Sequence, residues 1–328
     1  MNERVLLTGA AGFIGSHVAE MLRARGWQVI GVDALDGFYD RDRKLANWSQ
    51  AAGGEPLHRV DITDAAAIGE LVARTRPTGI IHLAAKAGVR PSLADPAGYA
   101  LHNVVGTQHV LDAARTHGVE RLVLASSSSV YGNNPKVPFA EDDDVSAPIS
   151  PYAATKRACE LIAHAHHAAS GTPVAMLRFF TVYGPRQRPD LAISLFMRAI
   201  AHGEPLRVFG DGGMSRDFTY ATDIAAGVLA AYDRIPEHGY RIWNLGSDAP
   251  VTVLELVERV AAVVGRRPTI EHAPQPTGDV DRTWADLTRS RSELGYAPAT
   301  PLDEGLRRQW AWLADQPRMA APRQPVSR

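Results

Sequence analysis

The chain has 328 residues, 45% of them hydrophobic, and a formal net charge of −1. That length permits one large α/β unit or two lobes with a sizeable core. The near-zero charge supplies no field for nucleic acid or an anionic membrane surface, and no run approaches the roughly 20 apolar residues that span a bilayer. A single cysteine, Cys159, excludes an internal disulfide framework and fits a reducing cytoplasm; the first strand begins at once, so no leader peptide is expected.

Arg4-Val5-Leu6-Leu7-Thr8 reads as a buried parallel strand. Gly9-Ala10-Ala11-Gly12-Phe13-Ile14-Gly15 follows, then a helical pattern from Ser16 to Arg25. Glycines let the backbone approach a pyrophosphate, and a helix N-terminus offers donors and the positive end of a dipole. The spacing is G-x-x-G-x-x-G, so context has to support it. A second strand, Gln28 to Val32, ends in Asp33, 18 positions after Gly15. A carboxylate there accepts from ribose hydroxyls and favours NAD over NADP, whose 2′-phosphate it repels. Arg41 and Arg43 nearby leave the phosphorylated cofactor open.

Leu57 to Val60 leads to Asp61, and Gly79 to Leu83 leads to Ala84. A long helix is expected near Pro96 to His117, then a strand from Arg121 to Ala125 entering Ser126-Ser127-Ser128-Ser129. Alternation of this kind predicts a doubly wound parallel sheet of Rossmann type, with ligands at the carboxyl ends of its strands. Gly9, Asp33, Asp61, Ala84 and Ser127 all follow strand ends, so they are expected on one rim. Glu141 to Asp144 reads as a solvated acidic loop.

Ser150-Pro151-Tyr152-Ala153-Ala154-Thr155-Lys156 opens the next helix, which runs to about Ala169. Positions i and i+4 share a helix face. A lysine ammonium favours a neighbouring phenolate, which suits Tyr152 to take a proton from an alcohol, with a serine hydroxyl sharing it. A surface Tyr-x-x-x-Lys pair is the plain alternative. His164 and His167 share helical spacing, but no acid or cysteine partners them, so a partly exposed face is expected and no metal site. Cys159 reads as a small core residue.

Pro173 to Arg178 is another strand. After Thr181 turns multiply, at Tyr183-Gly184-Pro185, Phe209 to Gly213 and Pro274 to Asp279. The expected organisation is a dinucleotide-binding domain over 1–181, to which 222–245 return as a helix and a strand. A smaller mixed substrate lobe takes 182–221 and 246–315, and 316–328 read as a disordered tail.

Over roughly residues 2 to 315 the chain resembles the extended short-chain dehydrogenase/reductases. The resemblance rests on Thr8 to Gly15, Asp61-Ile62, His82-Leu83-Ala84-Ala85, Asn103-Val104-Val105-Gly106-Thr107 and Tyr152 to Lys156. Within that family it is most similar to the nucleotide-sugar epimerases, above all those acting on UDP-glucuronate at C4. Ala87-Gly88-Val89-Arg90, Ser126 to Gly132, Arg178 to Pro185 and Arg188-Pro189-Asp190 carry this narrower likeness.

The resemblance implies tightly held NAD, contacted by Gly9, Gly12, Phe13, Ile14, Gly15, Asp33, Asp61, Ile62, Leu83, Ala84, Ala85, Lys86, Asn103, Tyr152, Lys156 and Phe179. Lys86 stands where a glutamine is expected. The resemblance assigns catalysis to Tyr152, Lys156, Ser127 and Ser129, with hydride leaving C4 of the sugar and returning to its other face. Arg90, Ser128, Thr181, Arg188, Val208, Arg216 and Asp279 are the implied substrate contacts, Arg216-Asp217-Phe218-Thr219-Tyr220 being the nucleotide stretch. A homodimer through helices near 96–117 and 152–169 is implied too.

Related dehydratases carry an Asp-Glu pair, and related decarboxylases a glutamate just before Val-Tyr-Gly. Ser128 and Ser129 stand there instead, and a neutral wall suits a substrate carboxylate. Thr181 replaces the asparagine usual in UDP-galactose-type epimerases, and Arg188 offers the carboxylate a bidentate partner. A UDP-glucose 4-epimerase, a UDP-glucuronate decarboxylase and, more remotely, a non-catalytic dinucleotide sensor are the alternatives.

Overall fold

The computed structural model describes residues 3–274 and 278–316. Its strands are β1 (Arg4–Thr8), β2 (Gln28–Val32), β3 (Leu57–His58), β4 (Gly79–His82), β5 (Arg121–Ser127), β6 (Val174–Phe179), β7 (Thr181–Tyr183), β8 (Leu206–Phe209), β9 (Ser215–Tyr220), β10 (Tyr240–Leu245), β11 (Pro250–Thr252) and β12 (Ile270–Ala273). Seven of them form a sheet in the order β3-β2-β1-β4-β5-β6-β10, each neighbouring pair parallel. The chain order reverses beside β1, and that switch point opens the crevice where α/β sheets bind ligands.

Both faces of this sheet are covered, which is why its strands are apolar throughout. In β1, Val5 and Leu7 enter one core while Leu6 enters the other, as the two-residue period of a strand dictates. Helices α1 (Phe13–Ala24), α2 (Arg41–Ala52), α3 (Ala65–Thr75), α4 (Val89–Ala94), α5 (Pro96–Tyr99), α6 (Gly106–Thr116) and α7 (Pro151–Ser170) connect the strands up to β6. Ser150 starts α7 by accepting from Ala153 N, Pro151 occupies its first turn, and Gly171 ends it in the left-handed conformation. No helix of the described residues is long and apolar enough to cross a membrane.

The remaining helices are α8 (Ala192–His202), α9 (Ala221–His238), α10 (Val253–Val264), α11 (Thr288–Leu294) and α12 (Leu302–Ala314). β11, β9 and β7 form one small sheet and β12 with β8 another. A separate core packs α8, α10 and α12 on them through Phe196, Met197, Leu256, Val260 and Leu306. The chain thus leaves the large sheet after β6 and re-enters it only with α9 and β10.

Several expectations need correction. The helix over 96–117 is interrupted: α5 and α6 flank a π-helical segment, Ala100–Val105. Helix α1 begins at Phe13 rather than Ser16, so the end of the glycine stretch is already helical. Glu141 is not solvated: it is buried and accepts from Asn244 N at 2.8 Å, while Asp143 accepts from Ala140 N. The partly exposed face expected for His164 and His167 is present, His164 exposed and His167 half-buried: His164 packs edge-on against Tyr240 and the His167 ring bonds Thr172 O, while His166 between them is buried. The tail assigned to 316–328 lies outside the described residues beyond Gln316, as do residues 275–277 of one turn.

Candidate active site

The carboxyl ends of β1, β2, β4 and β5 open into one cavity of about 390 Å³. On the dinucleotide side Gly9, Gly12, Phe13, Ile14, Gly15, Asp33, Asp61, Ile62, Leu83, Ala84, Ala85 and Lys86 line it; at the far end are Ser127, Ser128, Ser129, Tyr152, Lys156, Phe179, Thr181 and Arg188. Gly9 has φ +68°, and a side chain there would meet Ala84 N at 2.9 Å. A Cβ on Gly15 would stand 2.1 Å from Gly9 O. Only glycine lets this turn close against its own helix.

Helix α1 has no side-chain cap and no acid in its first turn, so its leading N–H groups suit an anion. Asp33 is buried at the end of β2. Its Oδ1 accepts from Leu35 N at 2.8 Å and its Oδ2 from Ala11 N at 3.2 Å. Burial, outweighing these bonds, raises its pKa. An uncapped helix start, an acceptor at β2 and apolar walls at Ile62, Leu83 and Phe179 together fit NAD. Arg43, one of the residues that left NADP open, is buried and donates to Gln187 O, with its guanidinium 4.8 Å from the Trp312 ring.

Helix α7 carries Tyr152 and Lys156 to the other end. Lys156 is buried, and its Nζ donates to Ala125 O of β5 at 2.8 Å; Tyr152 meets Tyr99 edge-on. Where β5 ends, Ser127 caps the 3₁₀ turn Ser128–Tyr131 by accepting from Ser129 N at 3.2 Å. The same hydroxyl donates to Ser129 Oγ at 3.1 Å.

Behind these groups lies a network that sequence reading missed. Glu160, fully buried on α7, receives Ser126 Oγ at 2.7 Å and a bidentate pair from Arg178 at 2.8 and 3.0 Å. Arg157 adds a further bond at 2.9 Å. Burial alone would raise the Glu160 pKa, but the bonds to Arg178, Ser126 and Arg157 hold it below the usual value. A second network fixes His82: its Nδ1 lies 2.7 Å from Thr8 Oγ1 and its Nε2 3.1 Å from Thr107 Oγ1. Burial, then the charge of Lys156, lowers its pKa to about 3, so the ring is neutral.

The remaining expected residues divide. Arg188 is 15% exposed and no surface loop residue: its Nε and Nη2 bond Asp190 at 3.1 and 2.6 Å, and its guanidinium stacks 4.6 Å from the Phe38 ring. Arg216 and Asp279 line a smaller adjoining cleft with Ser128, Ser129 and Thr181. Arg90 lines neither cavity; it reaches Asp279 at 2.7 Å. Asp217, beside Arg216, faces inward and accepts from Ser247 N, Asp248 N and Ala285 N, tying the lobe's loops to β9. Asn103 does not line the cavity; it accepts from Lys86 N and donates to Lys86 O and Thr155. Lys86 pairs with Asp95 at 2.7 Å. Val208 is 1% exposed within the lobe's core, so it is a packing residue there. Sequence reading also missed Asp36, Phe38, Tyr39 and Lys44, all of which line the large cavity.

Comparison with known proteins places the chain in a family. The model of the NAD dependent epimerase/dehydratase family matches residues 5–246. A UDP-glucuronate 4-epimerase of Thermodesulfobacterium geofontis is 39% identical, covering 94% of this chain and 95% of its own. The crystal structure of UDP-glucuronic acid 4-epimerase from Bacillus cereus with UDP-glucuronic acid and NAD superposes with a TM-score of 0.88 at 32% identity, over 95% of this chain and 99% of that one. UDP-glucose 4-epimerase of Thermus thermophilus in complex with NAD gives 0.87 at 33% identity, over 95% and 99%. The chain therefore belongs to the NAD-dependent epimerase/dehydratase family.

Proposed function

We propose that the chain interconverts UDP-glucuronate and UDP-galacturonate by inverting the sugar at C4. One observation carries the substrate assignment. Around Tyr152 the cavity is lined by the hydroxyls of Ser127, Ser128, Ser129 and Thr181 and by Arg188, whereas its lining acids, Asp33, Asp36 and Asp61, follow β2 and β3 on the dinucleotide side. A wall of hydroxyls with Arg188 and Lys156 and no lining acid accommodates a sugar carboxylate, which an acid there would repel. The Thermodesulfobacterium relative and the Bacillus cereus structure support the same substrate.

Bound NAD supplies a reversible two-electron acceptor for C4. Tyr152 accepts the proton of the C4 hydroxyl, and Ser127 shares it through its own hydroxyl. Lys156, held by Ala125 O, keeps a cation one helical turn away. The resulting 4-keto sugar is a β-keto acid, which loses carbon dioxide when its carboxylate bond stands perpendicular to the ketone plane. Ser128, Thr181 and Arg188 hold the carboxylate out of that alignment. Arg216 and Asp279 serve the nucleotide, whose remote binding energy keeps the substrate in place while the sugar turns over. Exposed apolar residues on the π-helical segment and α7, Leu101 at 47%, Val105 at 41% and Leu161 at 55%, support pairing of two copies; light scattering at the mass of one chain would refute that.

Product analysis by NMR tests the reading. Purified protein should convert UDP-glucuronate to UDP-galacturonate, and Tyr152→Phe should slow this by the roughly 10²–10⁴-fold typical of lost acid–base catalysis while leaving NAD bound. A UDP-pentose product would make the chain a decarboxylase, turnover of UDP-glucose alone a UDP-glucose 4-epimerase, and no turnover a dinucleotide sensor.

A further inference from the structure

The segment between β2 and α2 carries no recognised motif, yet it reaches across the site. Asp33 lies at one end of it, and Phe38 stacks under Arg188 at the other. Tyr39, between them and α2, lines the cavity. Its hydroxyl is buried and has no hydrogen-bond partner among the described residues. Buried hydroxyls are nearly always partnered, because an unpaired one forfeits its solvation without compensation. The ring itself is held: Lys44 Nζ lies 4.9 Å from its centroid, and that ammonium is bonded to Asp36. Tyr39 is thus a fixed ring carrying an unspent donor.

The surroundings indicate what it would bind. Burial first, then the charge of Asp33, push the phenol well above its usual pKa. It stays protonated across the working range and can only offer its hydrogen or a weak lone pair. Arg43 and Arg188 lie close enough to act on its charge in the opposite sense. The carboxylates of Asp33 and Asp36 act on it as well as the two guanidinium groups, so the charges largely offset one another, and what remains is a neutral, unpartnered donor, which suits an anionic oxygen.

We propose that Tyr39 is a ligand-binding residue whose hydroxyl donates to a diphosphate oxygen. Two ligands of this site carry a diphosphate, the dinucleotide and the nucleotide sugar. The first source rests on the NAD dependence of the family and the second on the function proposed above.

Tyr39→Phe keeps the ring under Lys44 and deletes only the hydroxyl. Three quantities should be measured on NAD-loaded protein: the rate at which NAD is lost on dilution, and the affinities for UDP and for uridine by calorimetry. A hydrogen bond to a charged group corresponds to about 10- to 150-fold. NAD leaving faster by that factor, with UDP and uridine unchanged, assigns the bond to the dinucleotide. UDP weakened by that factor, with uridine and NAD unchanged, assigns it to the nucleotide sugar. No change in any of the three overturns the proposal, and so does a common loss that includes uridine, which marks a general lesion. Wild-type protein that fails to bind UDP would fault the substrate assignment instead and leave the NAD arm to decide for Tyr39.

Discussion

Arg188 shows how a residue's position qualifies its role. It lines the cavity, but Asp190 already holds two of the five N–H donors of a guanidinium. A substrate carboxylate must therefore share the arginine with Asp190. Arg188→Ala should weaken UDP-glucuronate by about 10- to 150-fold, the equivalent of a charge-assisted hydrogen bond, and spare UDP-glucose, with traces of a UDP-pentose as the freed carboxylate reaches the alignment for decarboxylation. Equal losses on both sugars, measured by steady-state kinetics, would mean that Arg188 serves the diphosphate. At this scale the sequence was most legible where chemistry is local. The glycine turn, Asp33 after β2 and Tyr152 four residues before Lys156 are each defined within a short window. Tyr39 and Lys44 were not legible, because their place in the site depends on how α2 packs beside the glycine loop. The packing of the Val208 side chain into the lobe's core was not legible, because a lobe strand's inward and outward positions cannot be told apart without its partners.

Among elements, the decisive junction is α7 against β5 and β6. Tyr152 and Lys156 ride on α7, Ser127 ends β5, and Arg178 precedes Phe179 on β6. Glu160 joins all three through Ser126 and Arg178. Removing one partner of a buried ion pair strands the other charge, at a cost of about 3–5 kcal/mol. Glu160→Ala should therefore lower the unfolding free energy by about that amount in urea titration, and Glu160→Gln, which can still accept from Ser126, should lose less. Wild-type stability in the alanine variant would show that the network contributes little. Glu160 and Arg178 lie in different elements, and nothing in either stretch announces the other. The Thr252-x-x-Glu255 capping box that starts α10 was, by contrast, a local signal available in the sequence. The break at Ala100–Val105 had none, since helix propensity does not distinguish a π turn from an α turn.

In the whole molecule, the large sheet presents its strand ends to a lobe assembled from residues far apart in sequence. The parallel sheet was readable from alternating strands and helices; the two small lobe sheets, made of short strands among turns, were not. Among the described residues His17, His82 and His166 are buried, and burial lowers the pKa of each. His82 is shifted to about 3 by burial and then Lys156, and His17 to about 4 by burial and then Arg186. Both folded values lie below the unfolded 6.5, so below that pH the unfolded chain binds protons that the folded chain refuses. Stability should fall as pH drops from 6.5 toward 5, by up to about 1.4 kcal/mol per pH unit for each histidine. Urea midpoints at several pH values should show this, and His82→Gln should make the dependence shallower, leaving the His17 part; a flat wild-type profile would contradict the neutral assignment. The central claim, transient oxidation at C4 with the carboxylate retained, is tested most directly with UDP-glucuronate deuterated at C4. The account predicts UDP-galacturonate that keeps its deuterium at C4, because the hydrogen removed from one face returns to the other without reaching solvent. Deuterium lost to water, or a pentose released with carbon dioxide, would contradict it.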